Sequence, residues 1–136
     1  MGDLFEESHL SFHHKPLLVA GGAMDYHGVR KRGTDYDFVV SLEDFFTLYS
    51  DHHQGYRKSD LGDEVITIGV YEFYASFAGL PYEQLNKNAV KQGNYLIISL
   101  PYLLFMAFTL SEHEPDNQKR RRDVALLLRK LLVNYS

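Results

Sequence analysis

The chain contains no cysteine, and this excludes several kinds of chemistry at once. Without a thiol there is no disulfide framework, no cysteine nucleophile and no cysteine-ligated zinc site. Seven histidines are present, but the adjacent pairs at 13–14 and 52–53 lack the i, i+4 spacing of a histidine zinc site. We therefore do not expect a structural zinc ion.

Long apolar runs are also missing. The longest candidate, residues 95–110, is interrupted by Ser99 and Pro101 and falls short of the roughly 18 residues that cross a bilayer. The first residues are acidic and lack the basic start and apolar stretch of a secretory signal. These features predict a cytoplasmic protein without a membrane partner.

Basic residues are outnumbered, since Lys and Arg total 14 against 18 Asp and Glu, for a net charge of −4. This balance argues against nucleic-acid affinity over the whole surface, although a local basic patch is still allowed. A chain of 136 residues has room for one core, and its 14% aromatic content is too high for a disordered polypeptide. We predict a single domain over 1–136, with residues 1–15 as an N-terminal arm or short helix.

Short apolar segments alternate with helical patterns along the chain. Residues 17–20 and 35–40 are predicted strands, and residues 65–73 give the strongest strand signal because β-branched and aromatic side chains fill them. Pro101 suits the first turn of a helix, and the periodicity over 101–136 predicts C-terminal helices. The fold class is therefore α/β or α+β, with a mixed β-sheet flanked by helices.

Asp35 and Asp37 carry the clearest chemical signal. On a strand, side chains at positions i and i+2 point to the same face, with Cα atoms roughly 6.5 to 7 Å apart. Two carboxylates on one face repel each other unless a cation lies between them, and Mg²⁺ prefers such oxygen ligands together with water and phosphate. The alternative is a solvated start of a strand, where both side chains are simply exposed.

Two further features accompany this pair of acids. Gly21 and Gly22 follow one predicted strand and precede a short helix, where backbone amides can approach a phosphate; a plain tight turn is the alternative. Glu72 interrupts the apolar run of the strongest strand. It either faces a site as a third acid or lies on an edge strand and points at water.

The stretch from Leu18 to Val40 resembles the nucleotidyltransferase superfamily of the DNA-polymerase-β type, in particular its small prokaryotic minimal and AbiEii-like branch. The resemblance lies in the order of a strand, Gly21-Gly22, a short helix, a basic loop and the Asp35-x-Asp37 strand. It implies a nucleotidyltransferase-like sheet. The implied activity is metal-dependent transfer of a nucleoside monophosphate from a nucleoside triphosphate to a hydroxyl of a protein, an RNA or a small molecule.

The same resemblance implies roles for individual residues. Asp35, Asp37 and Glu72 would be the catalytic acids and the ligands of Mg²⁺. The residues that it assigns to nucleotide binding are Gly21, Gly22, Arg30, Arg32 and Thr34.

Other functions stay open. Related proteins often carry a lysine in the helix after the last strand, and its absence from residues 103–110 favours a catalytically degenerate module. Such a module would act as a partner-binding or regulatory protein, for example in a toxin–antitoxin pair. The basic clusters at 30–32 and 119–122 permit RNA binding, which the acidic net charge opposes. The aromatic side chains that permit a homodimer are Phe45, Phe46, Tyr102 and Phe105.

Overall fold

The computed structural model describes residues 4–5 and 8–134. Within them the backbone forms nine strands: β1 Leu17–Val19, β2 Tyr36–Val39, β3 Tyr56–Lys58, β4 Glu64–Ile68, β5 Tyr71–Tyr74, β6 Ser76–Phe77, β7 Leu80–Pro81, β8 Val90–Gln92 and β9 Tyr95–Ile97. It also forms five α-helices: α1 Ala20–Tyr26, α2 Leu42–His52, α3 Tyr82–Leu85, α4 Leu100–His113 and α5 Gln118–Asn134.

Seven of these strands form one mixed sheet in the order β3-β4-β5-β2-β1-β9-β8. β2 runs parallel to β5 and β1 runs parallel to β9, whereas the other neighbours are antiparallel. β6 and β7 form a separate small hairpin. The predicted α+β class, with a mixed sheet, helices and a helical C-terminus, is confirmed. The strands β1, β2 and β5 lie side by side in the middle of the sheet.

The glycine turn differs from its prediction. β1 ends at Val19, and Gly21 and Gly22 lie inside the first turn of α1 rather than in a turn before it. The chain changes direction at Ala20, whose φ of +54° is in the left-handed region, an unfavourable conformation for a residue with a Cβ. Gly22 allows α1 to pack closely against β1, because a Cβ at this position would come within 2.8 Å of Leu18 Cδ1.

The single strand predicted over residues 65–73 is in fact two strands. β4 ends at Ile68 and β5 begins at Tyr71, with a tight turn between them. Gly69 in this turn has a φ of +61°, which glycine adopts without steric cost. The apolar pattern continues across both strands and therefore hides the turn. As a result, Glu72 lies on a strand between β4 and β2 and not on an edge strand.

An aromatic cluster fills the core on one face of the sheet. Phe38 and Phe73 are fully buried, and their rings stack with centroids 5.9 Å apart. Phe5 is buried against them, with its centroid 5.0 Å from that of Phe38. The alternation of side chains along β2 and β5 therefore leaves Asp37 and Glu72 on the opposite face.

The N-terminal segment is an arm rather than a helix over its described residues, 4–5 and 8–15. The buried carboxylate of Asp44 on α2 holds it in place by accepting hydrogen bonds from the backbone amides of His13 and His14, at 2.8 and 3.0 Å. The remainder of the predicted arm lies outside the described residues.

The predicted C-terminal helices form an antiparallel hairpin, because only four residues connect α4 to α5. Pro101 occupies the first turn of α4, as expected. The predicted apolar stripe of α5 is only partly buried: Leu127 is inaccessible, but Leu128 and Leu132 are 47% and 70% exposed. No helix in the described part of the chain combines the length and the apolar character that crossing a bilayer requires.

Candidate active site

The two aspartates of the Asp-x-Asp motif occupy different positions. Asp37 lies within β2, whereas Asp35 precedes the strand by one residue and is exposed. The ladder with β5 begins at Tyr36, whose amide donates to the carbonyl of Val70 at 2.8 Å. The predicted strand start at Asp35 is therefore one residue too early, and the side chain of Asp35 is solvated, as the alternative interpretation expects for this residue of the motif.

Glu72 is the direct neighbour of Asp37 in the sheet. The two residues are register partners on the parallel strands β2 and β5, so their side chains leave the same face from backbones about 4.8 Å apart. Glu72 Oε1 accepts a hydrogen bond from Arg57 Nη2 at 2.6 Å, and the Tyr74 hydroxyl lies 3.5 Å from the same oxygen. The third predicted acid is thus next to the motif and paired with an arginine from β3.

Burial and the negative charges around Asp37 raise the pKa of its carboxyl group. Burial, the charge on Glu72 and the charge on Asp35, in that order, raise the pKa of Asp37 to about 7. The positive charges of Arg57 and Arg120 act in the opposite direction without cancelling this effect. Burial and the neighbouring acids thus disfavour the charged form of Asp37, which a cation bound next to it would stabilise.

A cavity of about 130 Å³ opens beside Asp37, between the sheet and the C-terminal helical hairpin. One wall is apolar and comes largely from Leu103, Met106 and Leu110 of α4. The polar residues that line it are Gly21, Arg30, Asp37, Tyr74, Arg120 and Asp123. A predicted metal ligand and a predicted phosphate-binding glycine therefore face the same space.

The predicted nucleotide-binding residues separate into two groups. Gly21 and Arg30 line the cavity, and a Cβ added at Gly21 would meet the Arg30 guanidinium at 3.6 Å. Arg32 instead lies over the ring of Tyr36, 4.3 Å from its centroid, and Thr34 is exposed with its hydroxyl 3.5 Å from Asp35. Gly22, Arg32 and Thr34 are not among the residues that line the cavity.

One arginine of each basic cluster forms an ion pair with an acidic residue. Arg30 donates to both carboxylate oxygens of Asp123, at 2.6 and 3.0 Å, which ties the loop after α1 to α5. Asp123 therefore pairs with an arginine that lies 93 positions away in the chain. Arg120 contacts Glu114 at 3.3 Å and also lines the cavity.

Arg120 and Tyr74 also belong to the site; Arg120 is part of the basic cluster at 119–122, but neither residue was assigned to the site individually. Arg120, Asp123 and Leu127 are spaced i, i+3 and i+7, so they lie on one face of α5. This spacing was the available signal for Arg120. Burial, with the charges of Asp37 and Glu72, raises the pKa of Tyr74, so its hydroxyl stays protonated beside the acids.

No family model, curated protein or solved structure matches this chain. The geometry of the side chains and the local resemblance of residues 18–40 are therefore the grounds for assigning a function.

The acids around Asp37 supply a small set of oxygen ligands for a metal ion. In residues 4–5 and 8–134, no group of three or more His, Asp or Glu side chains is arranged to hold a metal ion. Asp37 and Glu72 nevertheless stand side by side, with Asp35 close enough to affect the pKa of Asp37. Mg²⁺ commonly uses one or two protein carboxylates and completes its shell with water and substrate phosphates. This donor set suits such a site.

Proposed function

We propose that this protein is a metal-dependent nucleotidyltransferase that moves a nucleoside monophosphate from a nucleoside triphosphate to a hydroxyl group. The observation that carries the proposal is the register pairing of Glu72 with Asp37, which lines a cavity together with Gly21 and Arg120. It joins the motif around residues 18–40 to an acid and a cation that come from distant parts of the chain.

The proposed metal is Mg²⁺, held by Asp37 with Asp35 or Glu72. When bound, it would offset the charge of the acids and of the triphosphate and so stabilise the charge that develops during transfer. A cation would stabilise the charged form of Asp37, which burial and the neighbouring acids disfavour. Glu72 can contribute an oxygen once its pairing with Arg57 is broken, and the 47% exposure of the Arg57 side chain leaves that arginine free to swing toward water.

The cations of the cavity suit the phosphate groups of the donor. Arg120 lines the cavity from α5 and would supply a positive charge for phosphate, whereas residues 103–110 of α4 contain no lysine. The guanidinium of Arg30 lies next to Gly21, and its pairing with Asp123 fixes its orientation. A cavity of about 130 Å³ is smaller than the roughly 300–1,000 Å³ of a typical ligand site, so only part of a nucleotide fits within it.

The proposed transfer balances as a simple displacement. The hydroxyl oxygen of the acceptor attacks the α-phosphorus, and the bond from that phosphorus to the pyrophosphate oxygen breaks. The hydroxyl proton passes to a carboxylate at the site, for which Glu72 is placed beside Asp37. Pyrophosphate leaves, and the acceptor carries the nucleoside monophosphate.

Calorimetric titration of ATP with and without Mg²⁺ tests the proposal. We expect the wild type to bind ATP only when Mg²⁺ is present. We expect the double variant Asp35→Asn with Asp37→Asn to lose at least about tenfold in affinity, because the cation site is gone. The matched control replaces two exposed aspartates away from the cavity, Asp51→Asn with Asp60→Asn, and should bind as the wild type does. Absence of Mg²⁺-dependent binding by the wild type would remove the enzyme proposal.

Arg57 offers a second prediction, because its charge competes with a metal for Glu72. We expect Arg57→Gln to raise the affinity for Mg²⁺ alone by at least about tenfold, because a unit charge roughly 6 Å from a divalent cation repels it by about 1.4 kcal/mol even at the dielectric constant of water. The control is Lys58→Gln, which removes an exposed cation one residue along the same strand. Titration of each variant with Mg²⁺, followed by protein NMR shifts, measures the difference. Equal Mg²⁺ affinities for the two variants would contradict a competing role of Arg57.

A non-catalytic module is the second candidate function. Two observations favour it. Arg57 already neutralises the charge of Glu72, the third predicted acid, and α4 has no lysine over residues 103–110. Such a module would act through a protein partner, as in a toxin–antitoxin pair. It predicts that the wild type binds no ATP with or without Mg²⁺, so the same titration separates the two candidates.

A further inference from the structure

The C-terminal hairpin exposes an apolar face that nothing in the described part of the chain covers. On α4, Phe105 and Phe108 are 38% and 52% exposed, and on α5, Leu128 and Leu132 are 47% and 70% exposed. Leu104 and Val124 form the floor of an open groove between them. Four large apolar side chains on one face are unusual for a surface without a binding partner.

The exposed positions of this face are spaced as in a short coiled-coil seam, whose apolar members are Phe105 and Phe108 on α4 and Ala125, Leu128 and Leu132 on α5. On α4 its positions are 101, 105, 108 and 112, and on α5 they are 121, 125, 128 and 132. Both series have steps of four, three and four residues, the spacing by which successive core positions of a heptad fall on one stripe. The face that joins α4 to α5 inside the chain is a different one and includes Leu103 and Leu127. Each helix therefore has one apolar face that is buried inside the hairpin and one that is exposed, which we call the open seam.

Each open seam ends in one charged residue. The α4 seam ends at Glu112 and the α5 seam begins at Arg121, and both residues are exposed. Because the two helices are antiparallel and joined by residues 114–117, both charges lie at the connection end of the hairpin. The opposite end is apolar, with Pro101 and Leu132.

We propose that a second copy of this chain covers the open seam and forms a four-helix bundle about a two-fold axis parallel to the hairpin. Such an axis brings like ends together, so Glu112 of one protomer meets Arg121 of the partner subunit, twice per dimer. An antiparallel arrangement would instead place both charges against the apolar end and leave them without partners. In this orientation the charges of two copies of the chain are therefore complementary.

The expected dimer is weak to moderate. The α4 seam spans about 16 Å at 1.5 Å per residue, which is short for a coiled-coil interface. We therefore expect a dissociation constant in the micromolar range. Sedimentation equilibrium across micromolar to submillimolar concentrations measures it.

Two variants test the seam itself. Leu128→Lys places a charge in the middle of the seam, and we expect it to be monomeric at every concentration. Leu42→Lys is the control, because Leu42 is equally exposed at 54% but lies on α2, away from the hairpin. Circular dichroism establishes that both variants are folded. A wild type that stays monomeric throughout, or a Leu128→Lys variant that dimerises as the wild type does, would overturn the proposal.

A charge exchange tests the orientation. Glu112→Arg and Arg121→Glu should each weaken dimerisation by about tenfold, because each creates two like-charge contacts. The double variant Glu112→Arg with Arg121→Glu should return to within a few-fold of the wild type. A double variant at least as weak as either single one would show that these residues do not face each other, and would refute the parallel bundle. Binding of some other helical partner is then the outcome to pursue.

Discussion

Asparagine at position 37 is expected to make the protein more stable at about pH 8 and at the same time to abolish its response to Mg²⁺. In the folded protein the pKa of Asp37 is about 7, whereas an unperturbed aspartate has a pKa near 3.8. Between these values the folded state keeps a proton that the unfolded state has released. Stability therefore falls as the pH rises through this window, and the full penalty is present above pH 7.

The size of this effect follows from the shift. About three pKa units correspond to roughly 4 kcal/mol at 1.36 kcal/mol per unit, as an order of magnitude. Asp37→Asn cannot ionise, so its stability advantage over the wild type should be small near pH 4 and should grow until about pH 8. Urea unfolding at several pH values measures it, and Asp51→Asn on α2 serves as the exposed control. An advantage that does not depend on pH would contradict the raised pKa.

The Mg²⁺ response of the same variant tests the proposed metal site separately. At pH values above 7, a cation that binds only the folded wild type should raise the urea concentration at the unfolding midpoint. The reason is that binding adds RT ln(1 + [Mg²⁺]/Kd) to the free energy of unfolding. The asparagine variant should not respond, because it offers one carboxylate fewer. A wild type that shows the pH dependence but no Mg²⁺ response would preserve the electrostatic description of Asp37 and reject the metal.

Loss of Asp123 is expected to cause the largest destabilisation among the site residues. Its carboxylate is almost inaccessible, with 5% of the side chain exposed, and it accepts two hydrogen bonds from Arg30, whose side chain is 24% exposed. Asp123→Ala leaves that guanidinium largely buried without a counter-charge, and removal of one partner from such a pair typically costs about 3–5 kcal/mol. Thermal or urea unfolding measures the loss.

Two further variants define what this destabilisation means. The double variant Arg30→Met with Asp123→Leu removes both charges, and we expect it to be more stable than Asp123→Ala, because no unpaired charge remains. The exposed pair of Arg120 and Glu114 provides the contrast, and Glu114→Ala should barely change stability, since solvent screens an exposed ion pair. A double variant no more stable than Asp123→Ala would show that packing, and not charge, explains the effect.

Local features of the site could be predicted because they depend on neighbours in sequence. The opposite orientation of Phe38 and Asp37 follows from the alternation of side chains along one strand, and the structure buries Phe38 as that alternation requires. The helical C-terminus and the position of Pro101 likewise follow from periodicity and from the missing amide of proline. The errors at Asp35 and Gly21 are one or two residues at element boundaries, where local signals are weakest.

The ion pairs of the site could not be predicted, because they join residues far apart in the chain. Arg30 and Asp123 are separated by 93 positions, and no local pattern indicates that the loop after α1 and the start of α5 will meet. The pairing of Arg57 with Glu72 depends on an undetected turn at Gly69, which places β4 and β5 side by side. Each contact depends on the order of strands in the sheet.

The amino-acid sequence by itself determined the class of the fold, the strand that carries Asp37 and the helices of the C-terminus, because hydrophobic periodicity and turn residues act over a few neighbouring positions. Only the tertiary structure decided that Glu72 is the neighbour of Asp37 and that Arg120 faces the same cavity. It also decided which apolar face of the hairpin stays open. These arrangements depend on the register and packing of distant segments, which are set by burial of the whole core.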